Sequence, residues 1–235
     1  MKKITLFLFS IFFLSISTSF AQTLQDVKKP QLSQKIDYLT QKHQDLRNRK
    51  NDILRRHGWV SKQMKDNEEL IKEALATNYK VAKKIIKEHG LPTISMVGEK
   101  SAHNFWEMVI HFDHDAAFQR QVVSLMDKAL KTNDVDKKDF AYLSDRLMIN
   151  SGREQYYGTQ VFYDEKTKTY KPHPIQEEKR VDIHRATMDL PPMEKYIASM
   201  NANFDGTIQR PKQKRRRHEK DGKERPFGPQ PPRKG

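Results

Sequence analysis

Leu32, Ile36, Leu39, His43, Leu46, Lys50, Ile53 and His57 step by alternating four and three residues. That spacing gathers one side of an α-helix into a single stripe, which must pack against another helix. Gly58 follows the last step, where a glycine can close the helix. A second stripe runs through Met64, Ile71, Leu75, Asn78, Ala82 and Ile85 and stops at Gly90-Leu91-Pro92. Two long helices joined by a short turn predict an antiparallel hairpin.

His43, Lys50, His57 and Asn78 occupy stripe positions that apolar residues would fill better. They mark either a pocket or partner groove, or a partly exposed seam with snorkelling side chains and a buried amide that fixes register. Asn78 is the best candidate for a buried polar role. Stripes that run past the core also leave room for a homo-oligomer built through this hairpin.

Helical periodicity continues beyond Pro92. Ala102, Phe105, Trp106, Val109 and Ile110 form a stripe in a helix predicted near 97–111. Phe118, Val122, Leu125 and Met126 form another near 115–131, and Phe140, Leu143 and Leu147 a third near 136–151, which Gly152 is placed to end. Residues 159–163 and 169–171 are β-prone on either side of a polar turn and predict one short β-hairpin, too small to found a sheet. Helical pieces near 177–187 and 192–201 complete the ordered chain. The fold class is therefore mainly α: an N-terminal antiparallel helix hairpin packed with a multi-helix core, one short β-hairpin and a disordered C-terminal tail.

The ends of the 235-residue chain differ from its body. Lys2 and Lys3 precede an apolar run over 4–16, and Ser19-Phe20-Ala21 supplies a small-x-small cleavage site, the pattern of a secretory signal. The expected address is periplasmic or secreted. Cysteine is absent, which excludes disulfides, thiolate catalysis and cysteine metal sites. No apolar stretch after residue 21 approaches the roughly 20 residues of a membrane span. From 209 to 235 there are eleven Lys or Arg against three acids, a net of +8 within the chain's +14, together with five of its eleven prolines. Such a segment buries too little apolar surface to offset chain entropy. Lys212-Gln213-Lys214-Arg215-Arg216-Arg217-His218 would attract polyanions, which outside the cytoplasm means an anionic envelope surface rather than nucleic acid, or it is a solvated tail. The expected organisation is a signal over 1–21, a helical arm over 22–61, a helical domain over 62–205 and a tail over 206–235.

Three groups of residues could carry chemistry. His103, Glu107 and His111 fall at i, i+4 and i+8 on one helix, a column that could hold a metal, but the spacing matches no dedicated motif and the column sits opposite the apolar stripe. No metal or cofactor is therefore assigned. Asp113 either orients the imidazole of His111 as a general base or caps the next helix. Asp145 and Arg146 are adjacent on a helix and cannot share a face, so at least one must point into neighbouring structure. After them Gln155, Tyr157, Gly158, Thr159 and Gln160 form a dense polar run, which either lines a pocket or ties the helix end to the β-hairpin.

Ala141-Tyr142-Leu143-Ser144-Asp145-Arg146, followed by Gln155-Tyr156-Tyr157-Gly158-Thr159-Gln160, resembles a bacterial family of unknown function marked by a D-R pair and a Y-G-T-Q signature. Asn78, the Ile85-Ile86 pair, Ser95, Val97-Gly98 and Ala102 appear in the same order. Ile110-His111-Phe112-Asp113 is similar to its Q-H-x-D, and Val181-Asp182 with Arg185 to its late acidic and arginine motif. Leu91 stands where the family has the Trp of G-W-P, and Ile110 replaces a glutamine. The resemblance covers roughly residues 65 to 200 and implies that His111, Asp113, Asp145, Arg146, Tyr157, Thr159, Gln160 and Arg185 form one polar cluster. Two functions fit such a cluster. One is an exported binding or interaction module around His111, Asp145 and Gln160, with Asn78, Gln155, Tyr157, Thr159 and Arg185 in contact with the ligand. The other is an extracytoplasmic enzyme, such as a hydrolase, with His111 and Asp113 as base pair and Arg146 or Arg185 steadying an anion.

Overall fold

A computed structural model describes residues 27–202. The signal segment and the basic tail read from the sequence lie outside the described residues. Helix α1 (Pro30–His57) starts at a proline, whose fixed φ suits a first turn, and ends at Gly58 with φ of 78°. Helix α2 (Lys62–His89) is capped by Ser61, whose Oγ accepts from the Met64 N–H at 3.2 Å, and ends at Gly90. A single turn, α3 (Ile94–Val97), leads into α4 (Glu99–Val109), α5 (Ala116–Leu130) and α6 (Lys137–Asn150). Strands β1 (Val161–Asp164) and β2 (Thr169–Pro172) pair antiparallel, with Tyr163 opposite Tyr170. A 3₁₀ turn over Glu178–Arg180 precedes α7 (Val181–Thr187) and α8 (Met193–Ala202). Eight α-helices and one two-stranded sheet make up the described residues, so the mainly α class with its helix hairpin and β-hairpin is what the chain adopts. None of these helices is long and apolar enough to cross a membrane.

The core lies where α1, α2, α4, α5 and α6 meet. Ile36, Ala82, Val109, Phe112, Val122 and Leu143 are all fully buried in one cluster. Each of the larger ones contributes roughly 1.5–3 kcal/mol by leaving water. Helix α1 belongs to this cluster through Leu32, Ile36 and Leu39. Residues 27–61 therefore pack as a wall of the same compact unit as 62–202.

The α2 stripe differs from the one the spacing predicted. Asn67 and Ala74 take buried positions between Met64 and Asn78, while Ile71 and Leu75 stay half-buried. The reason is the polar interior of the hairpin: Asn67 Nδ2 donates to the Leu46 carbonyl at 3.0 Å and Asn78 Nδ2 reaches the Leu39 carbonyl at 3.5 Å. His43, expected among partly exposed seam residues, is only 3% exposed. Lys50 does snorkel, pairing with Glu68 at 3.0 Å with its ammonium near the Trp59 ring.

Candidate functional site

Helix α6 carries Asp145 and Arg146 side by side, and the 100° between them sends one inward and the other outward. Asp145 is fully buried and sits under the chain that follows α6. Its carboxylate accepts from the backbone N–H of Tyr156 at 2.8 Å, of Tyr157 at 3.0 Å and of Thr159 at 2.9 Å, and from the Thr159 hydroxyl at 2.9 Å. Burial pushes the Asp145 pKa up, and the N–H donors act against that shift. Gly158 makes the wrap possible: its φ is +67°, and a Cβ there would meet Met193 Sδ at 2.9 Å and Ile175 Cδ1 at 3.1 Å.

The other residues of this run complete the same knot. Gln155 is fully buried; its Nε2 donates to the carbonyls of Gln160 and His173, both at 2.9 Å, and its Oε1 accepts from the Gln160 N–H at 2.8 Å. Gln160 Nε2 donates to the Thr159 hydroxyl at 3.1 Å. Arg185 of α7 is 1% exposed and donates to the carbonyls of Pro191 at 2.6 Å, Tyr157 at 2.8 Å and Gly158 at 3.3 Å. Its guanidinium lies over the ring of Tyr196, whose hydroxyl donates to the Thr159 carbonyl at 2.9 Å. Tyr157 is buried too, and burial first, then the nearby Asp145 charge, raise its phenol to about 12. The donors and acceptors of this group are spent mostly on the protein's own backbone and on one another, Arg185 Nη2 being buried with no hydrogen-bond partner among the described residues, so the group's chemistry is chiefly cohesion.

A second group forms at the turn between α4 and α5. Phe112 is fully buried and pins that turn, while its neighbours His111 and Asp113 point elsewhere. Asp113 accepts from Arg146 Nε at 2.9 Å, from Arg146 Nη2 at 2.5 Å and from Asn150 Nδ2 at 2.7 Å. It is neither the partner of His111 nor a helix cap. Asp115 caps α5 instead, accepting from the Phe118 N–H at 2.9 Å, because the chain needs two more residues after Phe112 to reverse direction. Burial lifts the Asp113 pKa, but the Arg146 fork outweighs it and leaves the carboxyl below its ordinary range.

His111 faces α1. Its ring meets that of His43 edge-on at 5.4 Å, and its Nε2 lies 2.9 Å from Arg47 Nη1. A guanidinium can only donate, so Nε2 is the acceptor and the imidazole is neutral with its proton on Nδ1. Burial first, then Arg47, His43 and Arg146, pull the His111 pKa down to about 4, against the opposing charge of Asp113. Burial and Arg47 lower His43 as well. These side chains border a cleft of about 690 Å³ lined by His43, Gln44, Arg47, Asn48, Lys50 and Asn51 of α1, Ile71 and Leu75 of α2, Glu107 of α4 and His111 of the turn after it.

The stripe of α1 that builds this wall escaped the sequence reading. Ser33, Asp37, Thr40, Gln44 and Arg47 each follow a seam position by one residue and repeat the same four-three steps. They zip onto α4: Ser33 Oγ to Ser101 Oγ at 2.6 Å, Ser101 Oγ and Asn104 Nδ2 to Asp37 both at 2.8 Å, Thr40 Oγ1 to the Asn104 carbonyl at 3.1 Å, and Gln44 Nε2 to Glu107 at 2.5 Å. The periodicity was visible, but polar residues beside a seam look the same as a solvated flank.

The sequence-derived cluster therefore divides in two. Asp145, Gln155, Tyr157, Thr159, Gln160 and Arg185 form the buried knot; His111, Asp113 and Arg146 stand outside it, with His111 alone lining the cleft. Asn78 belongs to neither and holds α2 to α1. The His103, Glu107, His111 column points at three separate partners, Asp139 at 2.9 Å, Gln44 and Arg47. Among the described residues no three His, Asp or Glu side chains converge on a point that could hold a metal.

A family model described as a family of unknown function (DUF6624) matches residues 30–208. No curated protein and no solved structure matches the chain.

Proposed function

The chain belongs to the family of unknown function DUF6624, and we propose that it is an exported binding module whose ligand enters the cleft between α1, α2 and α4. The observation that carries this reading is the cleft itself. Its volume, about 690 Å³, falls in the range of small-molecule sites, and it combines an apolar edge with several polar side chains. The polar residues of the Y-G-T-Q run line no part of this cleft and instead hold the end of α6 to the chain that follows it. In the alternative, a hydrolase, His111 and Asp113 would act as base pair and Arg146 or Arg185 would hold an anion. Geometry weighs against it: His111 Nε2 already accepts from Arg47, Asp113 is taken by Arg146 and Asn150, and Arg185 is committed to backbone carbonyls.

The test is a thermal-shift and native mass spectrometry screen of the purified protein against a metabolite library, with Asn48→Trp alongside. Asn48 is exposed on the cleft wall, so the indole fills the opening without disturbing the core. A compound that stabilises the wild type and not N48W supports the reading; equal stabilisation of both, or of neither, sinks it. The basic tail adds attraction to an anionic envelope surface in this proposal. Deleting residues 206–235 is expected to abolish salt-sensitive cosedimentation with anionic lipid vesicles, and unchanged cosedimentation would remove the tail from the account.

A further inference from the structure

Three cations bear on the cleft region, and two are already answered. Lys50 pairs with Glu68 at 3.0 Å, and Arg146 grips Asp113 with its Nε and Nη2, the side-on edge that matches the two oxygens of a carboxylate. Arg47 is different. Its Nη1 is fixed on His111 Nε2 at 2.9 Å, and among the described residues no carboxylate lies within ion-pair reach of it. The nearest acid on the cleft wall, Glu107, is held by Gln44 at 2.5 Å. The anchoring of Nη1 leaves the Nε and Nη2 edge of Arg47 open, the same edge that Arg146 spends on Asp113.

Around this edge the cleft supplies two kinds of surface. Asn48 and Asn51 bring amides from the same helix, and Ile71 and Leu75 bring an apolar edge from α2, left half-buried because Asn67 and Ala74 took the interior places. A second groove, on the hairpin's other flank, has no such imbalance: Lys42 and Arg49 there are matched by Asp45 and Glu73. We infer that the cleft recognises a small carboxylate bearing an apolar substituent, with the Nε and Nη2 of Arg47 on the carboxylate and Ile71 and Leu75 against the substituent. The inference rests on the cleft being the ligand site. His111 is a positioning residue in it, since it holds the guanidinium by Nη1 and leaves Nε and Nη2 to the ligand. The binding is non-covalent and needs no co-reactant.

The experiment is a titration of the ¹⁵N-labelled full chain with N-acetyl-leucine and, separately, with its neutral amide, following the backbone resonances of residues 43–51 and 107–111. The acid is expected to shift them saturably, with the amide at least tenfold weaker. Arg47→Gln should weaken the acid at least tenfold and leave the amide as it was. Arg47→Lys, which keeps the charge but loses the fork, should fall between. An amide that binds as well as the acid, or an acid that binds R47Q as well as wild type, overturns the carboxylate assignment and leaves the cleft reading standing. The same holds if neither compound shifts the cleft while a library compound still binds there in an N48W-sensitive way. A cleft that takes no compound of any class removes both readings.

Discussion

Asp145→Ala separates cohesion from ligand contact at the Y-G-T-Q run. The substitution strands the N–H groups of Tyr156, Tyr157 and Thr159, each now within about 3 Å of a carboxylate oxygen and none with another acceptor nearby in the knot. The Thr159 hydroxyl can rotate; the three backbone donors cannot. At about 1–2 kcal/mol for each buried donor left unpaired, the loss is about 3–6 kcal/mol, a large share of the 5–15 kcal/mol typical of a whole domain. In urea, with a slope of about 2 kcal/mol/M, the midpoint should drop by about 2 M or the chain should fail to fold. Asp145→Asn keeps one acceptor oxygen and should fall between. Arg146→Ala is the internal comparison: its ion pair with Asp113 is a third or more exposed on both sides and should contribute no more than about 1 kcal/mol. If Asp145→Ala unfolds within 1 kcal/mol of wild type, the carboxylate is not what holds the turn, and its burial has to be explained by something it binds.

Acid should weaken the fold through His111. Its folded pKa, about 4, lies below the ordinary value of 6.5, so between those values the unfolded chain binds the extra proton and the folded chain does not. Stability is full above about pH 6.5 and declines as pH falls to about 4, by roughly 3 kcal/mol from His111, with His43 adding in the same direction. Urea midpoints measured from pH 7 to 4 on wild type and His111→Gln check this; parallel curves would mean that another group sets the slope. Gly158→Ala puts a methyl group on Met193 and a side chain at positive φ, with an expected loss of about 2–3 kcal/mol. A calorimetric melting temperature equal to wild type would show that the turn has slack.

Much of the fold was legible because its punctuation is chemical. Gly58 and Gly90 end the first two helices at positive φ, and Asp136, accepting from the Asp139 N–H, starts α6 where expected. Adjacency on a helix was enough to foresee that Asp145 and Arg146 part company. What could not be read is which polar residue meets which. His111 and Asp113, two apart in sequence, diverge because the buried Phe112 between them turns the chain. Arg47, 64 residues away from His111, supplies the contact that was one of the two roles open to Asp113. Only the packing of α1 on α4 brings those together, and a polar stripe carries no signature of its partner until the partner helix is in place.

The knot around Asp145 also sets an order of events in the life of the chain. Its lid comes from α8: Tyr196 closes on the Thr159 carbonyl and over the Arg185 guanidinium, and Asn201 accepts the Tyr170 N–H at 2.7 Å. A chain in which Asp145 and Arg185 are in place but Tyr196 is not leaves the Thr159 carbonyl without its hydroxyl donor and the guanidinium without the ring over it. The knot is therefore completed only when α8 docks, which ties its closure to residues far along the chain from Asp145.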